Sequence, residues 1–211
     1  MAKPIDATYN TNDEWIPVEE GMYPAHIASL STKEVNTRAG DAIIVNMTYK
    51  VADEVADMSQ LLYKTEGYKF LKDNNGDRIP LTNGKGQQKT TSCKHLVGRT
   101  FYDNGWFIFT QGSSSGKNKR YFELLDTLKI DCVEEEIDGD THKKLVLIEE
   151  DDVIGKPVNI TVGRTSYVTR DTKDLPPDQQ ERKTIFKVKT VESWTDGNTL
   201  SADELSSDVP F

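Results

Sequence analysis

Cys93 and His95, two residues apart, are the closest pair of metal-ligating types in this chain. Neither Cys132 nor His142 supplies a second ligand pair at a recognised spacing, so no metal centre is expected. Gln111-Gly-Ser-Ser-Ser-Gly-Lys117 has the composition of a phosphate loop. Its glycines, Gly112 and Gly116, are four apart rather than five, and Asn118 stands where a hydroxyl residue would hold Mg²⁺. With 35 acidic residues, paired carboxylates arise by number alone and point to nothing. No nucleophile elbow or kinase signature occurs. Neither an enzyme nor a bound cofactor is expected.

What is patterned is the interleaving of cations with flat rings. Residues 60–130 hold twelve bases against six acids. Among them Lys64, Lys69, Lys72, Arg78, Arg99, Lys117, Lys119 and Arg120 alternate with Tyr63, Tyr68, Phe70, Tyr102 and Trp106. Phosphates call for Lys and Arg, and an unstacked base on an aromatic face is worth about 1–3 kcal/mol. The overall charge of −9 hides this block. Residues 1–59 carry −6 and residues 131–152 carry −8, while 60–130 carry +6 and 153–195 carry +3. A bulk charge argues against nucleic acid; its distribution argues for a local cationic strip.

Positioning such a strip needs a scaffold, and the chain reads as mainly β. Tyr23, Ala25 and Ile27 share a face by period two, and Ala42 to Val51 is a β-branched alternating run that pairs back across Asn36–Asp41, with Gly40 available for positive φ. Leu96–Tyr102 reads as a third strand and Trp106–Phe109 continues it. Lys119–Ile130 reads as the one good helix, with Tyr121, Leu124, Leu125 and Leu128 on one side. An acidic connection with an ambiguous Leu145–Ile148 run follows. Pro157–Arg164 and Thr184–Val191 are the last two strands, joined by a loop containing Pro176-Pro177. Five strands with a helix between the third and fourth is the order of an OB-fold, a small Greek-key barrel. Residues 53–95 are an insertion between strands two and three, carrying an Asn-Gly hairpin signal at Asn74–Asp77 and a basic loop at Thr82–Lys89. The expected organisation is a flexible arm over 1–14, the barrel domain over 15–195, and a tail over 196–211.

In that barrel the ligand face is made by strands two and three, flanked by the first and last hairpin loops. This nominates Arg38, Tyr49, Lys50, Arg99, Tyr102, Arg164, Tyr167 and Arg170, joined by the cations and rings of the insertion. The phenylalanines Phe101, Phe107, Phe109, Phe122 and Phe186 are assigned to the core, because half the aromatics of alternating strands must face inward. Tyrosines keep a polar tip and suit wet surfaces better.

Residues 196–211 have four carboxylates and no Lys or Arg, ending Asp208-Val209-Pro210-Phe211. Such a segment is expected to be disordered and free to bind, with Asp203, Glu204, Asp208, Val209, Pro210 and Phe211 as a partner-binding tip.

Taken together these features resemble the phage-type single-stranded DNA-binding proteins. The resemblance is carried by Trp15-Ile-Pro-Val-Glu-Glu-Gly21-Met-Tyr23-Pro-Ala25, by Lys33 with Thr37-Arg38-Ala39-Gly40-Asp41, by Val97-Gly98-Arg99, by the helix from Tyr121 to Leu128, and by the acidic tail ending in Pro-Phe. It implies an OB-fold, monomeric or dimeric, that coats single-stranded DNA during phage DNA replication, repair or recombination. The tail would recruit a polymerase, helicase or primase and compete with DNA. The alternative is a protein–protein adaptor or structural phage protein whose barrel leaves nucleic acid alone. The polar opening Met1-Ala2-Lys3-Pro4 has no apolar leader, and no run is long enough to span a bilayer. The expected location is therefore the cytoplasm, that of the host cell if the protein is phage-encoded.

Overall fold

Tyr23, Ala25 and Ile27 are all buried in β1 (Gly21–Thr37), as their spacing demands of a half-buried strand. A two-residue turn at Arg38–Ala39 returns the chain along β2 (Gly40–Val51), paired from Thr37 opposite Gly40 to Ala25 opposite Val51 with one register shift between Ile27 and Ser29. The Thr37 hydroxyl closes the turn, donating to the Gly40 carbonyl and accepting from the Ala39 N–H, and Gly40 takes φ 120°. This computed structural model describes residues 18–66, 69–110, 116–137 and 140–206. The expected arm over 1–14 lies outside them.

The insertion holds four short strands, β3 (Ser59–Leu61), β4 (Thr65–Glu66), β5 (Lys69–Phe70) and β6 (Thr90–Ser92). Then come β7 (Thr100–Tyr102), β8 (Trp106–Phe109), helix α1 (Lys119–Leu128), the ribbon β9 (Val133–Ile137) and β10 (Asp140–Lys144), and one turn of helix, α2 (Glu150–Val153). The long hairpin β11 (Pro157–Val168) and β12 (Arg182–Ser193) precedes a last short helix, α3 (Ala202–Ser206). The chain divides into two compact units. Gln60–Thr91 forms the smaller; Glu19–Ser59 with the residues from Ser92 onward forms the larger.

The larger unit is built on one antiparallel sheet in the order β12-β11-β1-β2-β7, with β8 also pairing β2. Its inward residues, among them Val45, Met47, Tyr49, Val51, Val158, Ile160, Val162 and Val188, make the core. Tyr121, Leu124, Leu125 and Leu128 of α1 are buried as well, and the helix stops where Lys129 turns left-handed at φ 54°. The expected strand over 96–102 is shorter than the sequence suggests. Ser92 caps a 3-10 turn at Cys93–Leu96 by accepting the Lys94 N–H, and Gly98 at φ 72° delays the strand until Thr100. The acidic connection folds as the β9–β10 ribbon, where Glu134 lies opposite Lys143 and Glu135 opposite His142. Beyond it Tyr121 Oη ties down the ambiguous run, donating to the Val146 carbonyl and accepting from the Ile148 N–H.

The smaller unit carries two turns of the same construction. Asp73 Oδ1 accepts the N–H groups of Asn75 and Asp77, and Asn83 Oδ1 those of Lys85 and Gln87. Gly76 and Gly86 supply the positive φ in each, at 87° and 79°. The basic stretch Thr82–Lys89, read as a flexible loop, is therefore a second hairpin turn closed by the Thr82–Gln88 bridge. An Asx residue three before a glycine is a turn signal, and it occurs twice at ten-residue spacing.

The expected break at Asp196 is corrected for residues 196–206. Leu200 N–H donates to the Gly155 carbonyl at 3.0 Å, and the Asn198 carbonyl lies 3.0 Å from His26 Nε2, whose ring meets Trp194. Ser201 and Glu204 form a reciprocal cap on α3, in which the Glu204 carboxylate takes the Ser201 N–H and O–H at 2.7 Å and the Ser201 hydroxyl takes the Glu204 N–H. The run of acids alone suggested disorder; a local cap, the His26 side chain of β1 and the backbone of the turn after α2 supply order. Residues 208–211 of the expected tip lie outside the described residues.

Candidate nucleic-acid interface

The sheet path ends at β12 on one side and β7 on the other, and both ends line one cleft of about 550 Å³. The sheet therefore curls round until its terminal strands face each other without hydrogen-bonding. Arg99, Thr100, Phe101 and Tyr102 form one wall; Thr184, Ile185, Phe186 and Lys187 form the other. Arg164, opposite Phe186 across β11–β12, lays its guanidinium 5.5 Å from the Phe186 ring, and Arg99 lies 5.8 Å from that of Phe101. Tyr102 is 60% exposed. Three cations, the exposed ring of Tyr102 and the half-buried ring of Phe186 thus gather around an open seam, a composition suited to a phosphate backbone with unstacked bases. Burial of its stem lowers the Arg99 guanidinium from its ordinary value, while delocalisation keeps an arginine charged in proteins.

The expected site residues divide between this seam and other places. Arg99, Tyr102 and Arg164 are brought together. Tyr167 and Arg170 continue along the β11–β12 hairpin and are exposed, with Tyr167 opposite Lys183. Arg38 occupies the exposed β1–β2 turn, and Lys117 reaches that turn, donating to the Ala39 carbonyl at 2.8 Å. Lys119 pairs with Glu123 at 3.7 Å on the solvent side of α1. Arg120 lies 5.3 Å over Trp106, a half-buried ring rather than a free platform. Lys50 points outward on β2, yet its ammonium is held by the Leu205 carbonyl at 2.7 Å.

Tyr49 is a correction. Its ring is fully buried and its hydroxyl donates to Asp103 Oδ2 at 3.2 Å, so it is a core residue and offers no face to a base. Burial pushes the phenol well above its usual value, and the Asp103 charge adds to this. The tyrosine's polar tip suggested a wet surface; a buried carboxylate from the β7–β8 turn satisfies it instead.

In the smaller unit the Arg78 guanidinium lies 4.3 Å over Phe70 and 5.4 Å over Tyr63, whose rings meet edge to face. Phe70 and Tyr63 are therefore partly covered by their own cation. Lys64 and Lys72 are exposed, Lys69 belongs to β5, and Tyr68 lies outside the described residues.

Sequence reasoning missed Phe186 and Lys187 in the seam, and Phe107 and Phe109 on the outer face of β8. For the last two the signal was present: Trp106-Phe107-Ile108-Phe109 is four apolar residues on one strand, and alternate members must face opposite ways. Cys93, one half of the Cys-x-His pair, is buried, and burial pushes its thiol up; among the described residues no three His, Cys, Asp or Glu side chains cluster as metal ligands. No helix among the described residues is long and apolar enough to cross a membrane.

No known protein family, curated protein or solved structure matches this chain.

Proposed function

We propose that the larger unit is an OB-type barrel that binds single-stranded DNA without sequence preference. In that role it would serve phage DNA replication, repair or recombination. The observation that carries the reading is the β7–β12 seam, where Arg99, Arg164 and Lys187 meet Tyr102 and Phe186. The strand order supports the barrel: a β1–β2 hairpin, a third strand split into β7 and β8, a helix, then the β11–β12 hairpin pairing back on β1. Backbone phosphates would lie along the cations and bases would stack on the rings. Each neutralised phosphate would release condensed counterions, so affinity should fall steeply as salt rises and opposes that release.

Titration of the chain with oligo-dT at several salt concentrations tests this. Binding with a negative log–log salt slope is expected, and Arg99→Glu or Lys187→Glu should weaken it and flatten the slope by about one unit per lost phosphate contact. Absence of any complex with oligo-dT at low ionic strength would sink the reading. Residues Asp208-Val209-Pro210-Phe211 would recruit a replication partner, a polymerase, helicase or primase, through an apolar Val-Pro-Phe run beside acidic side chains. Because 196–206 pack onto the larger unit, the informative truncation removes 207–211 alone. It should abolish partner recruitment while leaving the melting temperature unchanged.

A further inference from the structure

We infer that Phe107 and Phe109 form a slot that takes one unpaired base of single-stranded DNA between their rings. The inference rests on the single-strand-binding reading and adds a second contact to it, apart from the seam.

Alternation along β8 puts the two rings on one side. Ile108, between them, is buried opposite Ile43, while Phe107 lies opposite Ile44 and Phe109 opposite Ala42 on the outer face. Phe107 is 38% exposed. The ring centroids stand 6.3 Å apart with planes only 19° from parallel. Two residues along a strand advance about 6.6 Å, so the rings keep the backbone's spacing and have not leaned together. Two base-stacking intervals of about 3.4 Å come to about 6.8 Å, so the rings must part by roughly 0.5 Å or more to admit a base. A flat heterocycle entering there would cover one face of each ring, removing apolar surface from water on both.

The strand that carries the two rings is anchored before any ligand arrives. Asn118, itself 2% exposed, grips Phe109 at both backbone groups, accepting its N–H at 2.8 Å and donating to its carbonyl at 3.1 Å. The turn leading into β8 lies against the floor, where Gly105 takes φ 82° and a Cβ would come within 2.4 Å of Ile44 Cγ2. Charge fits the ligand too. The Lys117 ammonium stands 5.4 Å from the Phe109 centroid, and Lys33 lies opposite Ile44 on β1. Both could meet the phosphates on either side of the captured base. A base inside a duplex is already stacked and paired, so the slot favours single strands.

The test is anisotropy of a fluorescein-labelled oligo-dT with wild type, Phe107→Ala, Phe109→Ala and the double variant, with Tyr replacements to keep a flat ring. Each Ala single should weaken binding roughly tenfold, and the double little more than either single, because one base loses its sandwich either way. Each Tyr replacement should bind within about twofold of wild type. If wild type binds and the Ala variants, folded by circular dichroism, bind equally well, the slot is wrong. It is equally wrong if the two losses multiply, since each ring would then serve a separate base. If wild type itself fails to bind, the underlying reading falls and the slot with it.

Discussion

Replacing Asp103, the buried carboxylate of the β7–β8 turn, by leucine is expected to lower the stability of the larger unit by about 3 kcal/mol or more. The carboxylate is 8% exposed and accepts four hydrogen bonds. Oδ2 takes the Met47 N–H at 3.3 Å, the Tyr49 hydroxyl at 3.2 Å and the Trp106 indole N–H at 2.8 Å; Oδ1 takes the Gly105 N–H at 2.9 Å. Leucine fills the volume and orphans all four donors, two of them backbone. In a chain of this size each kcal/mol moves the melting temperature by roughly 2–4 °C. A calorimetric midpoint within a degree of wild type would contradict the account. Asp103→Asn keeps one acceptor oxygen and should lose less.

The same carboxyl gives a pH signature. Burial raises its pKa and the four hydrogen bonds only partly oppose the rise. A folded-state pKa above the unfolded one means that the native form holds the proton more tightly. The corresponding stabilisation is complete below the ordinary aspartate value of about 3.9 and is lost as pH climbs through the folded value. The stability gap between wild type and Asp103→Asn, measured by urea unfolding, should therefore shift in favour of wild type when the pH is lowered from neutrality into that range. A gap that moves the other way would show that the hydrogen bonds outweigh burial.

Asp103 also shows where sequence reading reaches its limit. Asp103-Asn104-Gly105 is plainly a turn, and Gly105 takes the left-handed φ that a turn asks for. Nothing local says that its first residue reaches Tyr49 on β2, because that pairing depends on the register of β7 against β2. Yet the placement of Tyr49 itself was legible: Val45, Met47, Tyr49 and Val51 share one face by period two, and three of those are unambiguous core residues. Alternation outweighs the tyrosine's polar tip at this position, because Asp103 satisfies the hydroxyl inside the core. Phe107 and Phe109 repeat the lesson in reverse, since Ile108 between them fixes the inward face. The seam was legible only in part. Arg99 and Tyr102 follow from assigning the third strand, but their meeting with Phe186 and Lys187 is created by the curl of the whole sheet. The cap on α3 was written locally as Ser201-Ala-Asp-Glu204, and the acidic composition around it masked that signal.

Gly155→Ala is expected to release the segment 196–206. Gly155 sits at φ 80°, where an L side chain costs about 1–2 kcal/mol. A Cβ there would lie 1.7 Å from the Leu200 carbonyl oxygen and 2.8 Å from its carbon, so backbone must yield. Gly155 is anchored on its other side, donating its N–H to the Ile27 carbonyl of β1 at 2.8 Å. Ile27 is fully buried, whereas residues 201–206 are mostly exposed and held by few bonds, so the segment moves and β1 stays. Its detachment breaks the Leu200–Gly155 hydrogen bond, withdraws the Asn198 carbonyl from His26 and frees the Lys50 ammonium from Leu205. Limited proteolysis should then cut within 196–206 in the variant and spare the wild type, and equal resistance in both would refute the displacement. Under the proposed function the freed Lys50 adds a cation to the outer face of β2. Oligo-dT should therefore bind more tightly to Gly155→Ala, with a salt slope steeper by about one unit, and Lys50→Ala in the same chain should remove that gain. Tighter binding that survives the loss of Lys50 would assign the effect to the displaced segment rather than to the lysine it had covered.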